Sequence, residues 1–121
     1  MRWIISVLTG GLVVALLFVV GPVGAAHADT CPVPTYPSPT GSYGELKATH
    51  VSCAKAAEIA QAFYSCRTKN GQTGRCVKKV KGYSCQEERT TLSDFYAAVV
   101  TCQKNRKKVK LSYRENFRVA A

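Results

Sequence analysis

Histidine is nearly absent from this chain of 121 residues: His27 and His50 are the only two. No His-x-x-x-His pair exists to hold a metal, and a mechanism that needs two imidazoles would depend on both histidines. No Cys-x-x-Cys occurs, and the successive cysteine spacings are wide and irregular, unlike those of zinc knuckles. No Gly-x-Ser-x-Gly elbow presents a nucleophilic serine. Carboxylates are few, 7 against 17 Lys and Arg, for a formal net charge of +10. A glycosidase needs two carboxylates facing each other across a cleft. The one adjacent pair, Glu87 and Glu88, falls in what reads as a polar loop. Internal repeats are missing too. Nothing in the sequence calls for a metal or a cofactor, and the common secreted-hydrolase chemistries lose their parts.

What is present begins with an export signal. Arg2 supplies a positive n-region, and residues 4–20 form an uncharged apolar stretch. Gly21 and Pro22 break it, and Ala26-His27-Ala28 offers a small-x-small cleavage site before Asp29. The stretch is short of the ~20 residues a spanning helix wants, and residues 28–30 lack the lipoprotein pattern before Cys31. Residues 1–28 are therefore expected to leave as a signal peptide, taking His27 and releasing the remainder as a secreted, extracellular protein. All six cysteines lie beyond that point, where thiols oxidise, so a disulfide framework is expected.

Residues 29–45 carry Pro32, Pro34, Pro37 and Pro39 with Ser38, Thr40, Gly41, Ser42 and Gly44, and read as a Pro-rich tether without regular structure. Residues 46–51 alternate as a short strand. Ser52 stands where a helix N-cap belongs. From Cys53 the pattern turns helical: Cys53, Ala56, Ile59, Ala60 and Phe63 form one stripe, with Lys55, Glu58, Gln61 and Ser65 opposite. Asn70-Gly71 stops the helix. Three strands are expected next, over 80–85, 95–103 and around 109–113. In the last, Val109, Leu111 and Tyr113 alternate with polar residues, and the polar turn 104–107 makes a hairpin of the last two. The expected fold is α+β: one helix packed on a small antiparallel sheet, in the order β-α-β-β-β, over residues 46–114. Residues 115–121 read as a C-terminal tail.

Six cysteines allow fifteen pairings. If 53–66 is helical, Cys53 and Cys66 stand roughly 20 Å apart at ~1.5 Å per residue, too far to pair with each other. A strand returning directly from the helix would bring Cys85 to Cys53. The next would bring Cys102 to Cys66, leaving Cys31 and Cys76 to each other.

The charge is uneven. Residues 67–114 hold 13 Lys and Arg against Glu87, Glu88 and Asp94, a net +10, whereas residues 29–66 carry a net −1. Arg75, Lys78, Lys79 and Lys81 form one cluster. Lys104, Arg106, Lys107, Lys108 and Lys110 form another, with Tyr83 and Tyr113 nearby in the pattern. On a small sheet these clusters would make one positive face with aromatic interleaving, suited to polyanions. The expected partners are an anionic cell-wall polymer, a nucleic acid or an acidic protein surface, bound by a monomer. The plain alternative is a solvated face that keeps the protein soluble and discourages edge-to-edge association.

Val51-Ser52-Cys53-Ala54 with its Ala-rich helix, then Gly82-Tyr83-Ser84-Cys85, Val100-Thr101-Cys102 and Lys110-Leu111-Ser112-Tyr113, resemble small exported cysteine-containing α+β domains of high-GC Gram-positive bacteria. The resemblance covers about residues 46–114. It implies the β-α-β-β-β order and supplies no catalytic residues. Cys31 and Cys76 look like additions to that pattern, which favours their pairing.

Two rivals stand beside the binding module. A small secreted hydrolase would use His50 with a carboxylate such as Asp94, although His50 more simply ends a strand beside Ser52. A protein inhibitor or toxin-like scaffold would present the 67–79 loop to its target.

Overall fold

Ser52 starts the helix as its position demands. Its backbone is extended and its hydroxyl accepts the Lys55 N–H at 3.1 Å, satisfying one of the donors a helix start leaves unpaired. In the computed structural model, which describes residues 27–117, the elements are β1 (Asp29–Thr30), β2 (Gly41–Thr49), α1 (Cys53–Arg67), β3 (Ser84–Thr91), β4 (Phe95–Lys104) and β5 (Lys107–Asn116). Nearly all of the expected signal peptide lies outside the described residues. A 3₁₀ turn, Thr68–Asn70, extends α1 to Gly71, whose φ of 101° with ψ of 177° is a positive-φ conformation open to glycine and to few other residues.

The strands form one antiparallel sheet in the order β1-β2-β5-β4-β3, and α1 lies over β2 and β5. This is the disulfide-stapled α+β fold expected, one helix on an antiparallel sheet, with β1 as an added edge. Ala56, Ile59, Ala60 and Phe63 are buried against Leu46 and Ala48 of β2, Tyr96, Ala98, Val100 and Cys102 of β4, and Val109, Leu111 and Tyr113 of β5. Burying a side chain as large as Ile59 or Phe63 contributes about 1.5–3 kcal/mol. The alanines let the helix axis approach the sheet closely.

Several sequence expectations change. The Pro-rich segment carries regular structure at both its ends: β1 takes Asp29–Thr30, and β2 starts at Gly41 rather than 46, while between them Cys31 is buried with its N–H donating to Leu46 O at 2.8 Å. A β-bulge between Tyr43 and Glu45 accommodates Gly44, where a Cβ would meet Ser112 Oγ at 2.7 Å. The 80–85 strand is instead a tight turn, with Val80 and Tyr83 exchanging backbone hydrogen bonds, followed by β3. β3 contains Glu87 and Glu88, so those two are not in a loop and point to opposite faces of the sheet. β5 runs to Asn116, taking Glu115 out of the expected tail and into the interior.

All six cysteines are cross-linked, as Cys31–Cys53, Cys66–Cys76 and Cys85–Cys102, and each of the three expected pairings is replaced. The chain does not return directly from the helix. Residues 71–79 first fold back beside the helix end, placing Cys76 next to Cys66. β3 then takes the far edge of the sheet, where Cys85 lies opposite Cys102 in register. Cys31, following β1, meets the start of α1. The exclusion of a Cys53–Cys66 bond holds.

Candidate anion-binding surface

Strand alternation splits the basic residues between two faces. Odd positions of β5 and even positions of β4 are buried under the helix, so Lys108, Lys110, Ser112 and Arg114 project from the opposite, uncovered face. Antiparallel register sets Lys47 of β2 beside Lys110, and Thr49 beside Lys108. Lys47, Thr49, Lys108 and Lys110 line a hollow of about 340 Å³. Like charges opposite each other across a strand pair are destabilising. Lys47 has Glu45 Oε1 at 3.2 Å, a half-exposed pair that relieves little of this. Lys108 and Lys110 have no ion-pair partner among the described residues. The hollow thus concentrates uncompensated positive charge where an anion can enter.

The other expected binding residues form a rim at the end of the sheet that is not confined to the uncovered face: Lys104 and Lys107 occupy helix-side positions of β4 and β5, and Lys81 borders a hollow with Glu58, Gln61 and Ser65 of α1. Lys104, Arg106 and Lys107 surround the β4–β5 turn, where Asn105 takes a left-handed φ of 54°. Lys81 belongs to the Val80–Tyr83 turn, which packs close to Lys104. Lys78 and Lys79 border a small hollow with Ser84 and Cys85, at the start of β3 and so at the same end of the sheet. Arg75 leaves the cluster, its Nη1 lying 3.3 Å from Glu87 Oε2 on the helix side. The expected aromatic interleaving is absent, because Tyr83 and Tyr113 are both buried. Lys47, by contrast, joins the site without having been marked in the sequence. Its alternation with the apolar Leu46 and Ala48 was the available signal.

A second charged constellation is internal. Arg67 and Glu115, each 1% exposed, pair at 3.1 Å. Arg67 also donates to Tyr36, to Tyr96 at 2.8 Å and to Gln72 O at 3.1 Å, and its guanidinium lies 4.2 Å from the Tyr113 ring centroid. Tyr36 and Thr40 both donate to Glu115. A parallel set joins Arg89 Nε to Glu87 Oε2 at 2.7 Å, while the Tyr113 hydroxyl donates to Glu87. Burial, then the hydrogen bond to the carboxylate, pushes Tyr36 and Tyr113 far above the usual phenol range; burial pushes Tyr43 up to about 12. Burial opposes the Arg67 charge, but Tyr113, Tyr36, Tyr96 and Glu115 outweigh it and keep its pKa raised. Apart from the buried Nε–H groups of Arg67 and Arg89, which make no hydrogen bond among the described residues, these groups pair with one another and knit helix end, loop and sheet together.

His50 and Asp94 lie at opposite ends of the sheet. His50 follows the end of β2, next to Thr49, whose partner Lys108 faces Gln103. Asp94 precedes the start of β4. Nine residue steps along the chain separate Asp94 from Gln103, roughly 30 Å at ~3.3 Å each. His50 is exposed with φ at 54°, a conformation in which histidine is enriched, and this accounts for the residue as a strand-ending corner. Among the described residues, no group of three or more His, Cys, Asp or Glu is disposed to hold a metal. No described helix is long and apolar enough to cross a membrane. Comparison with protein-family models, curated proteins and solved structures finds no match to the chain.

Proposed function

We propose that this protein is an exported, disulfide-stapled module that binds an acidic macromolecule through the uncovered face and basic end of its sheet. One observation carries the proposal: Lys47, Lys108 and Lys110 share a hollow although cross-strand register makes two of them like-charged neighbours. An acidic ligand would relieve that repulsion, and the rim lysines would extend the attractive field and raise encounter rates. Three disulfides agree with an oxidising compartment, as do the apolar leader, its cleavage site before Asp29 and the likeness to exported bacterial domains.

The test is retention on immobilised heparin across a salt series. Charge-driven binding to a polyanion weakens steeply as salt rises. Lys47→Gln/Lys108→Gln/Lys110→Gln should elute at clearly lower salt than the parent, with a melting temperature no lower than the parent's because the cross-strand repulsion is gone. Failure of the parent to be retained at low salt, or co-elution of the variant with it, would refute the proposal.

A further inference from the structure

A second depression lies across β5 from the lysine hollow. Along β4 the outward residues Ala97, Val99 and Thr101 are short, whereas β3 carries Glu88 and Gln86 on one side and β5 carries Lys110 and Arg114 on the other. The result is a trough about 10 Å across, two inter-strand steps of ~4.8 Å, running ~13 Å from Arg114 to Lys110. Two hollows, of about 440 and 240 Å³, occupy it and share Glu88 and Val99. Lys110 borders both the second of these and the 340 Å³ hollow across β5.

The walls differ in chemistry. The β5 wall offers the cationic Arg114 and Lys110, with the short hydroxyl of Ser112 between them. The β3 wall offers Thr90, Glu88 and Gln86: a hydroxyl, a carboxylate and an amide, with no cation. Glu88 has no ion-pair partner among the described residues, because β4 keeps it from the β5 cations. A bare polyanion gains nothing from that wall and is repelled by Glu88. Hydroxyl donors would instead satisfy it, and the Val99 methyls on the floor, 40% exposed, suit the C–H face of a sugar ring.

We infer that the ligand of this trough is a linear acidic glycan, lying along β4 with its anionic groups toward β5 and its hydroxyls toward β3. The inference rests on the anion-binding function proposed above and adds the polyhydroxylated class of ligand.

The test compares two probes, an oligogalacturonate and a linear polyphosphate of matched charge, against the parent and Glu88→Ala by titration calorimetry at low salt. Glu88 is exposed, and an unchanged melting curve verifies the variant's fold. Loss of its hydrogen bonds should weaken oligogalacturonate binding roughly three- to tenfold, whereas loss of its negative charge should tighten polyphosphate binding. That opposition of sign is the signature of glycan recognition. If Glu88→Ala tightens both probes or changes neither, the glycan inference is overturned while anion binding stands. If the parent binds neither probe, both proposals fall.

Discussion

Replacing Glu115 with leucine should be among the most damaging single changes in the chain. Glu115 is 1% exposed, pairs with Arg67 at 3.1 Å and accepts hydrogen bonds from Tyr36 and Thr40. Leucine would leave the equally buried Arg67 guanidinium without its counter-charge, a loss that costs about 3–5 kcal/mol when one partner of a buried pair is removed. A domain of this size is stable by only about 5–15 kcal/mol. At roughly 4–8 °C per kcal/mol, the melting temperature should fall by at least about 12 °C. Arg67→Met should cost a similar amount, since it strands Glu115 and removes one of the two hydrogen bonds that the Gln72 carbonyl accepts. The double variant removes both charges and should cost less than the two single changes together by about 2 kcal/mol or more. Urea denaturation of the four proteins of this cycle measures it. A single variant within about 1 kcal/mol of the parent, or strict additivity, would refute the reasoning.

Other outcomes follow from the same structure. Non-reducing peptide maps should show Cys31–Cys53, Cys66–Cys76 and Cys85–Cys102, and reduction should lower the melting temperature markedly, since losing a native disulfide typically costs about 2–5 kcal/mol. Ile59→Asp and Phe63→Asp should prevent accumulation of folded protein, whereas Gln61→Asp, which loses one exposed hydrogen bond to Thr35 O, should fold with a near-parental melting curve. Alkali should unfold the protein. Tyr113 and Tyr36 are pushed well above the unfolded phenol value of about 10, so their contribution is complete below that pH and is lost as the unfolded state ionises first. Tyr113→Phe should flatten the decline above about pH 10, read as denaturation midpoint against pH.

The helix, the β4–β5 hairpin and the inward stripe of β5 were legible because their hydropathy follows 3.6- and 2-residue periods. β3 was not, although it alternates as strictly as β5. Its inward residues are Cys85, cross-linked to Cys102, and the charged Glu87 and Arg89, which pack into the internal ion network, so hydropathy carries little trace of the period. The same applies to Arg67 and Glu115. Each continues an apolar stripe, Arg67 one turn beyond Phe63 and Glu115 one step beyond Tyr113, and each is buried because the other is there to neutralise it. Extending the stripes by position rather than by residue type would have found both. The cysteine pairs depended on the fold-back of residues 71–79, which has no periodic signature. In the candidate site, the lysines of β5 were visible in the sequence, but the partnership of Lys47 arises from β2–β5 register alone.

The most direct test of the central claim is an amide chemical-shift map of the ¹⁵N-labelled protein titrated with a heparin oligosaccharide at low salt. The account predicts perturbations concentrated on residues 97–103, 108–114 and 47–49, reversed by added salt and lost in Lys47→Gln/Lys108→Gln/Lys110→Gln. Shifts confined to the outer side of α1 or to the 77–79 loop, or no shifts at all, would contradict it.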